Sequence, residues 1–412
     1  MQDRSGTPSR AADPSVTVVV PVHRDTDAFR RALAAVVACD PPADEVVVAV
    51  DRPDDDLVAL ALQHGARVVQ LAGGCGPAVA RNAGARAATG DLLFFVDADV
   101  VVPPGVVGLA KRYLRDRPEV SAVIGTYDDE PDEPNFFSQY KNLLNHHVHQ
   151  RAHVEGCTFW GACGVVRRST FESLRGFDHR YPRPTIEDIE LGHRIVGAGE
   201  CIHVVKELQV KHLKRWTLRG LLVSDVRDRA LPWSSLILRS GTLPDDLNVD
   251  TRSRVSAALA ALLPVALAGA VLAPTTLLLV VALLVALVWL DRPVVRFFAE
   301  QRGAWFAARA TAWQVLYHFY SAPSFAVALA HRLLGSPVYR WRDHKRRVAK
   351  NRARGRVPAP VVPLGAGVPR ALIGSVRHRP AGRIPVPVAE FEPAVPPALP
   401  GTLAPAASSH GA

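Results

Sequence analysis

The stretch Gly90-Asp91-Leu92-Leu93-Phe94-Phe95-Val96-Asp97-Ala98-Asp99 is an apolar run that ends in two carboxylates. Its Leu, Phe and Val residues have the length and character of a strand buried on both faces. Side chains alternate along an extended chain, so Asp97 and Asp99 leave on the same side where the strand emerges. Hard oxygen ligands of this kind suit Mg2+ or Mn2+, which complete their shells with water and substrate phosphate oxygens. An Asp-x-Asp pair alone also fits a solvated turn; the strand before it favours a site.

Upstream, short β-branched runs alternate with amphipathic segments. Val16–Val22, Glu45–Val50 and Arg67–Leu71 read as strands, and residues 25–38, 54–64 and 76–88 as helices, the first capped by Asp25 or Thr26. This alternation predicts right-handed βαβ crossovers and a doubly wound, mostly parallel, Rossmann-like sheet. Ligands of such sheets bind beyond the carboxyl ends of the strands. That rule groups Pro21, Val22 and His23 with Asp51 and with Asp97 and Asp99. Asp51 could accept from a base or a ribose, or cap the helix after Pro53. Gly73-Gly74-Cys75-Gly76-Pro77 opens a helix carrying Arg81 and Asn82, and its amides suit an anion or an ordinary turn.

Downstream, helices are expected near 104–117, 135–152, 167–174 and 186–198, a strand near 121–126, and a loop or irregular strand over 156–164. Glu187 and Asp188 open the 186–198 helix. There a carboxylate could take a proton from an acceptor, or serve the helix dipole. His212 fits a third metal ligand or a structural histidine. The cluster His146, His147, His149 and His153 reads as a polar helix face, because adjacent residues diverge on a helix.

Residues 257–290 contain no charged side chain, and the run of 34 residues is interrupted by Pro264 and Pro274. A single span needs about 20 residues, so two short spans joined near Pro274 are expected, with one tilted span or a re-entrant hairpin as alternatives. Residues 340–356 carry nine basic side chains against one acidic, most of the chain's formal charge of +10. A basic run beside an apolar segment points to anionic lipid headgroups rather than nucleic acid. Met1–Pro14 lacks the apolar stretch of a cleavable signal, and five cysteines without CxxC spacing suit a reducing compartment. The expectation is a multi-pass cell-membrane protein with its catalytic domain cytoplasmic. The expected layout is a disordered 1–14, a catalytic domain over 15–240, a transmembrane hairpin over 255–290, interfacial helices over 291–335, and a basic, then Pro/Ala-rich, disordered tail over 336–412.

Taken in order, Val18-Val-Val-Pro-Val-His23, Val50-Asp51, Ala80-Arg-Asn-Ala-Gly84, Gly90-Asp91 through Asp99, Gly176-Phe-Asp178 and Ile186-Glu-Asp-Ile-Glu-Leu191 resemble the family 2 glycosyltransferases of GT-A fold. The resemblance spans about half the chain. It implies a nucleotide-sugar donor bound by Pro21, Val22, His23, Asp51, Arg81 and Asp97. It also implies a divalent metal held by Asp99 with Asp97 and His212, and Asp188 as the base toward an acceptor hydroxyl, supported by Glu187. Trp160 and Gly161 would border acceptor and sugar. Proximity to the membrane makes a lipid-linked acceptor one option, with Arg227, Arg229 or Lys214 near a diphosphate or lipid phosphate. His23-Arg24 and Arg52-Pro53 depart from the family pattern, which bears on base preference. His212-Leu-Lys-Arg-Trp216 departs from the Gln-x-x-Arg-Trp of processive synthases. The rival readings are a sugar-nucleotidyltransferase, for which no Gly-rich Arg/Lys loop follows the first strand, and a non-catalytic membrane scaffold, which has no need of a base.

Overall fold

A computed structural model describes residues 13–52, 54–241 and 247–335, with the backbone of 363–364. Residues 1–12 of the expected disordered stretch 1–14, residues 242–246, and the expected basic and Pro/Ala-rich tail apart from 363–364 lie outside the described residues.

The first half of the sheet is parallel, as the strand–helix alternation predicts. β1 (Val16–Val22), β2 (Glu45–Val50), β3 (Arg67–Gln70) and β4 (Leu92–Val96) run in the spatial order β3-β2-β1-β4. Between them lie α1 (Asp27–Val37), α2 (Asp55–Gln63) and α3 (Pro77–Ala87), and Thr26 and Asp54 cap the first two through Phe29 N and Leu57 N. The first helix thus takes the second of its two predicted caps. The short β5 (Val100–Val101) and α4 (Val106–Arg115) lead to β6 (Val120–Tyr127) and α5 (Phe136–Arg151), which is capped by Asn135.

The second half of the sheet is mixed. β7 (Glu155–Gly156) pairs with the far edge, and β8 (Cys163–Arg167) inserts antiparallel between β4 and β6. After α6 (Arg168–Ser173) and α7 (Glu187–Gly197), β9 (Cys201–His212) runs parallel to β6 and antiparallel to β5. The first two residues of β8, Cys163 and Gly164, fall within the stretch expected as a loop or irregular strand, and Val165–Arg167 lie beyond it. Gly164 can join a strand there because the Phe159 ring fills its side-chain space, where an added Cβ would meet Phe159 Cζ at 2.6 Å. β10 (Pro363–Leu364) pairs antiparallel with β3.

Apolar side chains fill both faces of the sheet. Val18, Val20, Phe94 and Val165 belong to one core, and Val19, Phe95, Phe159, Phe177 and Leu191 to the other. α8 (Leu218–Val223), a π-helical segment over Ser224–Ala230 and α9 (Leu231–Ser240) follow. Pro232 has no N–H, and its ring crowds the carbonyl four residues back; the wider π register just before it accommodates that.

α10 (Thr251–Leu272) and α11 (Leu277–Leu290) are separated at Pro274–Thr276, at the predicted break, whereas Pro264 lies inside α10 without ending it. α10 starts before the apolar run and has 22 residues, so it alone reaches spanning length, while α11 has 14. Among the described residues, α10 is the one single helix long and apolar enough to cross a membrane. α11 with α12 (Arg292–Leu333) would be a second only as a pair bent by 65°. Val265, Val271, Leu272 and Leu278 are exposed. α12, broken at Gly303, packs Phe298, Ala307 and Ala310 against Tyr140, Leu143, Trp216 and Leu221, and Tyr140 Oη donates to Gln314 Oε1 at 2.6 Å.

Gly192 in α7 lies so close to residues 158–159 that an added Cβ would meet Phe159 N at 2.1 Å. Gly192→Ala is expected to lower unfolding free energy in denaturant titration by about 1–3 kcal/mol, as overpacking does.

Candidate active site

The carboxyl ends of β1, β2 and β4 and the start of α7 converge on one side of the sheet. At the centre is Arg81, buried on α3 one turn in from the glycine-rich loop. Its Nη1 donates to Glu187 Oε1 at 2.9 Å and its Nη2 to Asp97 Oδ1 at 2.6 Å. Phe177 lies beneath the guanidinium at 5.3 Å. Burial opposes the Arg81 charge, and Asp97, Glu187 and Asp188 more than restore it, so its pKa is raised. Gly161 closes over this group: a Cβ there would stand 3.0 Å from Arg81 Cζ. Asn82 fixes the neighbouring turn, donating to Phe177 O at 2.7 Å and accepting from Phe177 N at 2.9 Å.

Glu187 is buried and also accepts from Thr185 N at 2.8 Å. Burial raises its pKa first, and the neighbouring Asp188 adds to the rise against Arg81. Asp188 is half-buried. Its Oδ2 accepts Gly161 N–H at 3.0 Å and its Oδ1 its neighbour Ile189 N–H at 2.9 Å. Asp97 is raised by burial and by the charges of Asp99 and Asp188, against Arg81. Asp99 feels the same burial, but His212 and Lys214 outweigh it and draw its pKa down. About a third of each of the Asp97 and Asp99 side chains faces the open cleft.

His212 Nε2 lies 3.6 Å from Asp99 Oδ2, beyond hydrogen-bond distance. Two ligands each about 2.1–2.2 Å from one cation stand about 3–3.6 Å apart, so the gap fits a shared divalent ion. The surplus of carboxylate over guanidinium here suits a cation too. Asp97 is drawn toward Arg81, which sets its carboxylate apart from the facing pair of Asp99 and His212. The imidazole is held by a pile of rings: it stacks on Tyr127 at 4.3 Å and 6°, Trp160 meets Tyr127 edge-on at 4.7 Å, and His149 meets Trp160 at 5.0 Å.

The histidines of α5 are not the polar face expected. His147 and His149 are buried, and the Nδ1 groups of His146 and His149 face Tyr127 O at 2.7 Å and Gly125 O at 3.0 Å. They hold the end of β6 that carries Tyr127. Burial lowers the His147 pKa to about 4.

Asp51 does not cap the helix after Pro53. Asp54 caps α2, while the Asp51 carboxylate accepts Cys75 N–H at 2.8 Å and Gly76 N–H at 3.1 Å, and its carbonyl accepts Gly74 N–H. The amides read as an anion cradle are therefore filled by the protein's own carboxylate, which fixes the loop beside the cleft. His23 is exposed at the end of β1, with Pro21 half-buried and Val22 buried. Among the described residues, the one group of three metal-ligating side chains with ligand atoms within 4.8 Å is Glu155, Cys201 and His203, on β7 and the opposite end of β9 from His212.

Residues 17–175 match the sequence model described as Glycosyl transferase family 2. This segment is a family 2 glycosyltransferase domain. Asp97 and Asp99 fall inside the match, whereas Glu187, Asp188 and His212 lie beyond it. No curated protein matches the chain. Among solved structures, a mannosyltransferase from Pyrobaculum calidifontis in complex with GDP-Man and Mn2+ is 19% identical at a TM-score of 0.47, over 79% of this chain and 89% of that one. TarS from S. aureus is 18% identical at 0.37, over 48% and 37%. GalNAc-T7 with UDP, GalNAc and Mn2+ is 17% identical at 0.39, over 50% and 44%. Likeness at these scores carries no residue roles to the glycosyltransferase domain.

Removing Arg81 leaves Glu187 buried beside Asp97 with no countercharge. Arg81→Leu is expected to cost about 3–5 kcal/mol in denaturant unfolding at pH 7. Arg81 lowers the pKa of both Glu187 and Asp97 against burial, so without it both rise further, the variant's folded state binds protons at higher pH than the wild type's, and the deficit shrinks as pH falls toward 5. A deficit that is constant with pH would contradict this.

Proposed function

We propose that the protein transfers a sugar from a nucleotide-sugar to an acceptor hydroxyl with inversion, using Mg2+ or Mn2+ at the cytoplasmic face of a membrane. The observation that carries this reading is the gathering of Asp97, Asp99 and Asp188 at one end of the sheet: Arg81 Nη2 donates to Asp97 Oδ1 at 2.6 Å, Gly161, packed against the same guanidinium, donates to Asp188 Oδ2 at 3.0 Å, and Asp99 Oδ2 faces His212 Nε2 at 3.6 Å.

Each group has one task. The ends of β1 and β2, with Pro21, Val22, His23 and Asp51, form the nucleotide side, following the strand-end rule. Arg81 holds Asp97 toward the ribose and the diphosphate. Asp99 and His212 hold the divalent ion, which when bound supplies positive charge beside the departing diphosphate. Gly161 N–H orients Asp188, whose remaining lone pairs face the acceptor. The acceptor oxygen bonds to the anomeric carbon as the bond from that carbon to the diphosphate oxygen breaks. Its proton passes to Asp188, and the electron pair leaves with the nucleoside diphosphate. Trp160 and Gly161 border the acceptor and the transferred sugar. Glu187, closed off by Arg81 and Thr185, fixes the start of α7 rather than touching substrate.

α10 and α11 form the membrane hairpin in this reading. Exposed Val265, Val271, Leu272 and Leu278 are the kind of continuous apolar surface that seeks a partner or a bilayer. An acceptor carried on a lipid fits a catalytic domain set against that surface.

Asp188→Asn is expected to lower transfer by about a hundredfold to ten-thousandfold, the usual contribution of a general base, with nucleotide affinity in calorimetry unchanged. Loss of nucleotide affinity instead would move Asp188 to the donor side. EDTA is expected to stop donor cleavage and Mn2+ to restore it; full turnover without metal refutes the role of Asp99.

A further inference from the structure

A cavity of about 380 Å³ lies where the catalytic domain meets the C-terminal helices, outside the cleft described above. It falls within the size range of small-molecule sites, about 300–1,000 Å³. Its walls are mainly apolar, including Trp233 and Ile237 of α9, Val249, Ala257 of α10, and Tyr317 and Phe325 of α12. The π-helical segment supplies its polar end, with Asp225 and Arg229, and π turns recur at functional sites.

The charges at that end are unequal in their commitments. Lys141 and Asp225 neutralise each other at 2.8 Å, and Tyr320 Oη donates to the second Asp225 oxygen at 2.8 Å. Arg229 has no hydrogen-bond or ion-pair partner among the described residues. The Trp233 Nε1 donor in the cavity wall is likewise buried without an acceptor. An unpaired guanidinium and an unpaired indole N–H at the mouth of an apolar cavity call for an anionic oxygen group that carries an apolar chain. Trp233 and Ile237 of the cavity wall pack against Ile186 and Ile189, which flank Asp188 at the start of α7, so the cavity adjoins the catalytic side. The first turns of α10 close one side of the cavity, and the same helix goes on to expose Val265, Val271 and Leu272. A chain leaving the cavity would continue along that face.

We propose that this cavity is the lipid subsite of the acceptor, with one apolar chain inside it and a phosphate against Arg229. The reacting hydroxyl then extends past the phosphate toward Asp188. This rests on the transferase reading and deepens it by naming the acceptor class, a lipid-phosphate-linked hydroxyl compound.

The test is equilibrium binding of dodecyl phosphate and of dodecanol to the full chain in phosphatidylcholine nanodiscs. Dodecyl phosphate is expected to bind at least tenfold more tightly than dodecanol. Arg229→Ala should erase that preference while dodecanol binding stays within twofold, which also reports an intact cavity. Arg229→Lys should keep part of the preference, and Ala258→Trp, which fills the cavity, should weaken both ligands tenfold or more. Three results each overturn the proposal: an unchanged phosphate preference in Arg229→Ala, wild-type binding of both ligands by a cooperatively melting Ala258→Trp, or a preference that dilution into phosphatidylglycerol nanodiscs shows to be bulk membrane attraction. Should Ala258→Trp not fold, the Arg229→Ala comparison decides. Neither binding constant needs turnover. A protein that binds dodecyl phosphate but never cleaves a nucleotide-sugar sinks the transferase reading and leaves the lipid subsite standing, and the reverse pattern sinks the subsite alone.

Discussion

One buried guanidinium organises the catalytic side of this molecule. Arg81 comes from α3, Asp97 from the end of β4 and Glu187 from the start of α7, three elements spread over more than a hundred residues of chain. A charge taken out of water must be paired at close range or it costs several kcal/mol. The demand of Arg81 for two carboxylates therefore fixes where β4 ends relative to α7. The same group sets the size of residue 161, because the guanidinium occupies the space a side chain would need. Gly161 in turn brings its amide to Asp188. The position of the proposed base thus follows from the pairing of an arginine that does not touch the acceptor.

A second constraint acts on the other side of the cleft. His212 ends β9, and its ring is fixed by stacking on Tyr127, which is itself held by the α5 histidines at the β6 carbonyls and by Trp160. Preorganised ligands hold a cation with little reordering, and here the orienting groups are aromatic faces rather than a hydrogen-bonded carboxylate. The two constraints meet at the Asp97–Ala98–Asp99 turn, where one carboxylate goes to the arginine and the other faces the imidazole.

Much of this was legible in the chain. The run into Asp97 and Asp99 is so apolar that only a buried strand accommodates it, and strand ends collect ligands in a parallel sheet. Thr26, one of the two caps expected for the first helix, does cap it, whereas the second helix is capped by Asp54 rather than Asp51. What was not legible depends on partners distant in sequence. Nothing local shows that Asp51 reaches the amides of Cys75 and Gly76, so a filled turn looks like an open anion cradle. Gly164 looks like loop because the ring that completes its strand belongs to Phe159 folding back. The α5 histidines have the spacing of a polar face, and only β6 lying against them reveals buried donors. Arg229 could be named as a phosphate candidate, but its cavity forms from segments up to Phe325 and has no signature of its own.

The central claim is that Asp99 and His212 share a cation beside the diphosphate. The most direct measurement is anomalous diffraction from crystals grown with Mn2+ and a nucleoside diphosphate. The account predicts a manganese peak about 2.1–2.3 Å from Asp99 Oδ2 and His212 Nε2, in contact with diphosphate oxygens. A peak at Glu155, Cys201 and His203 with none between Asp99 and His212 would contradict it.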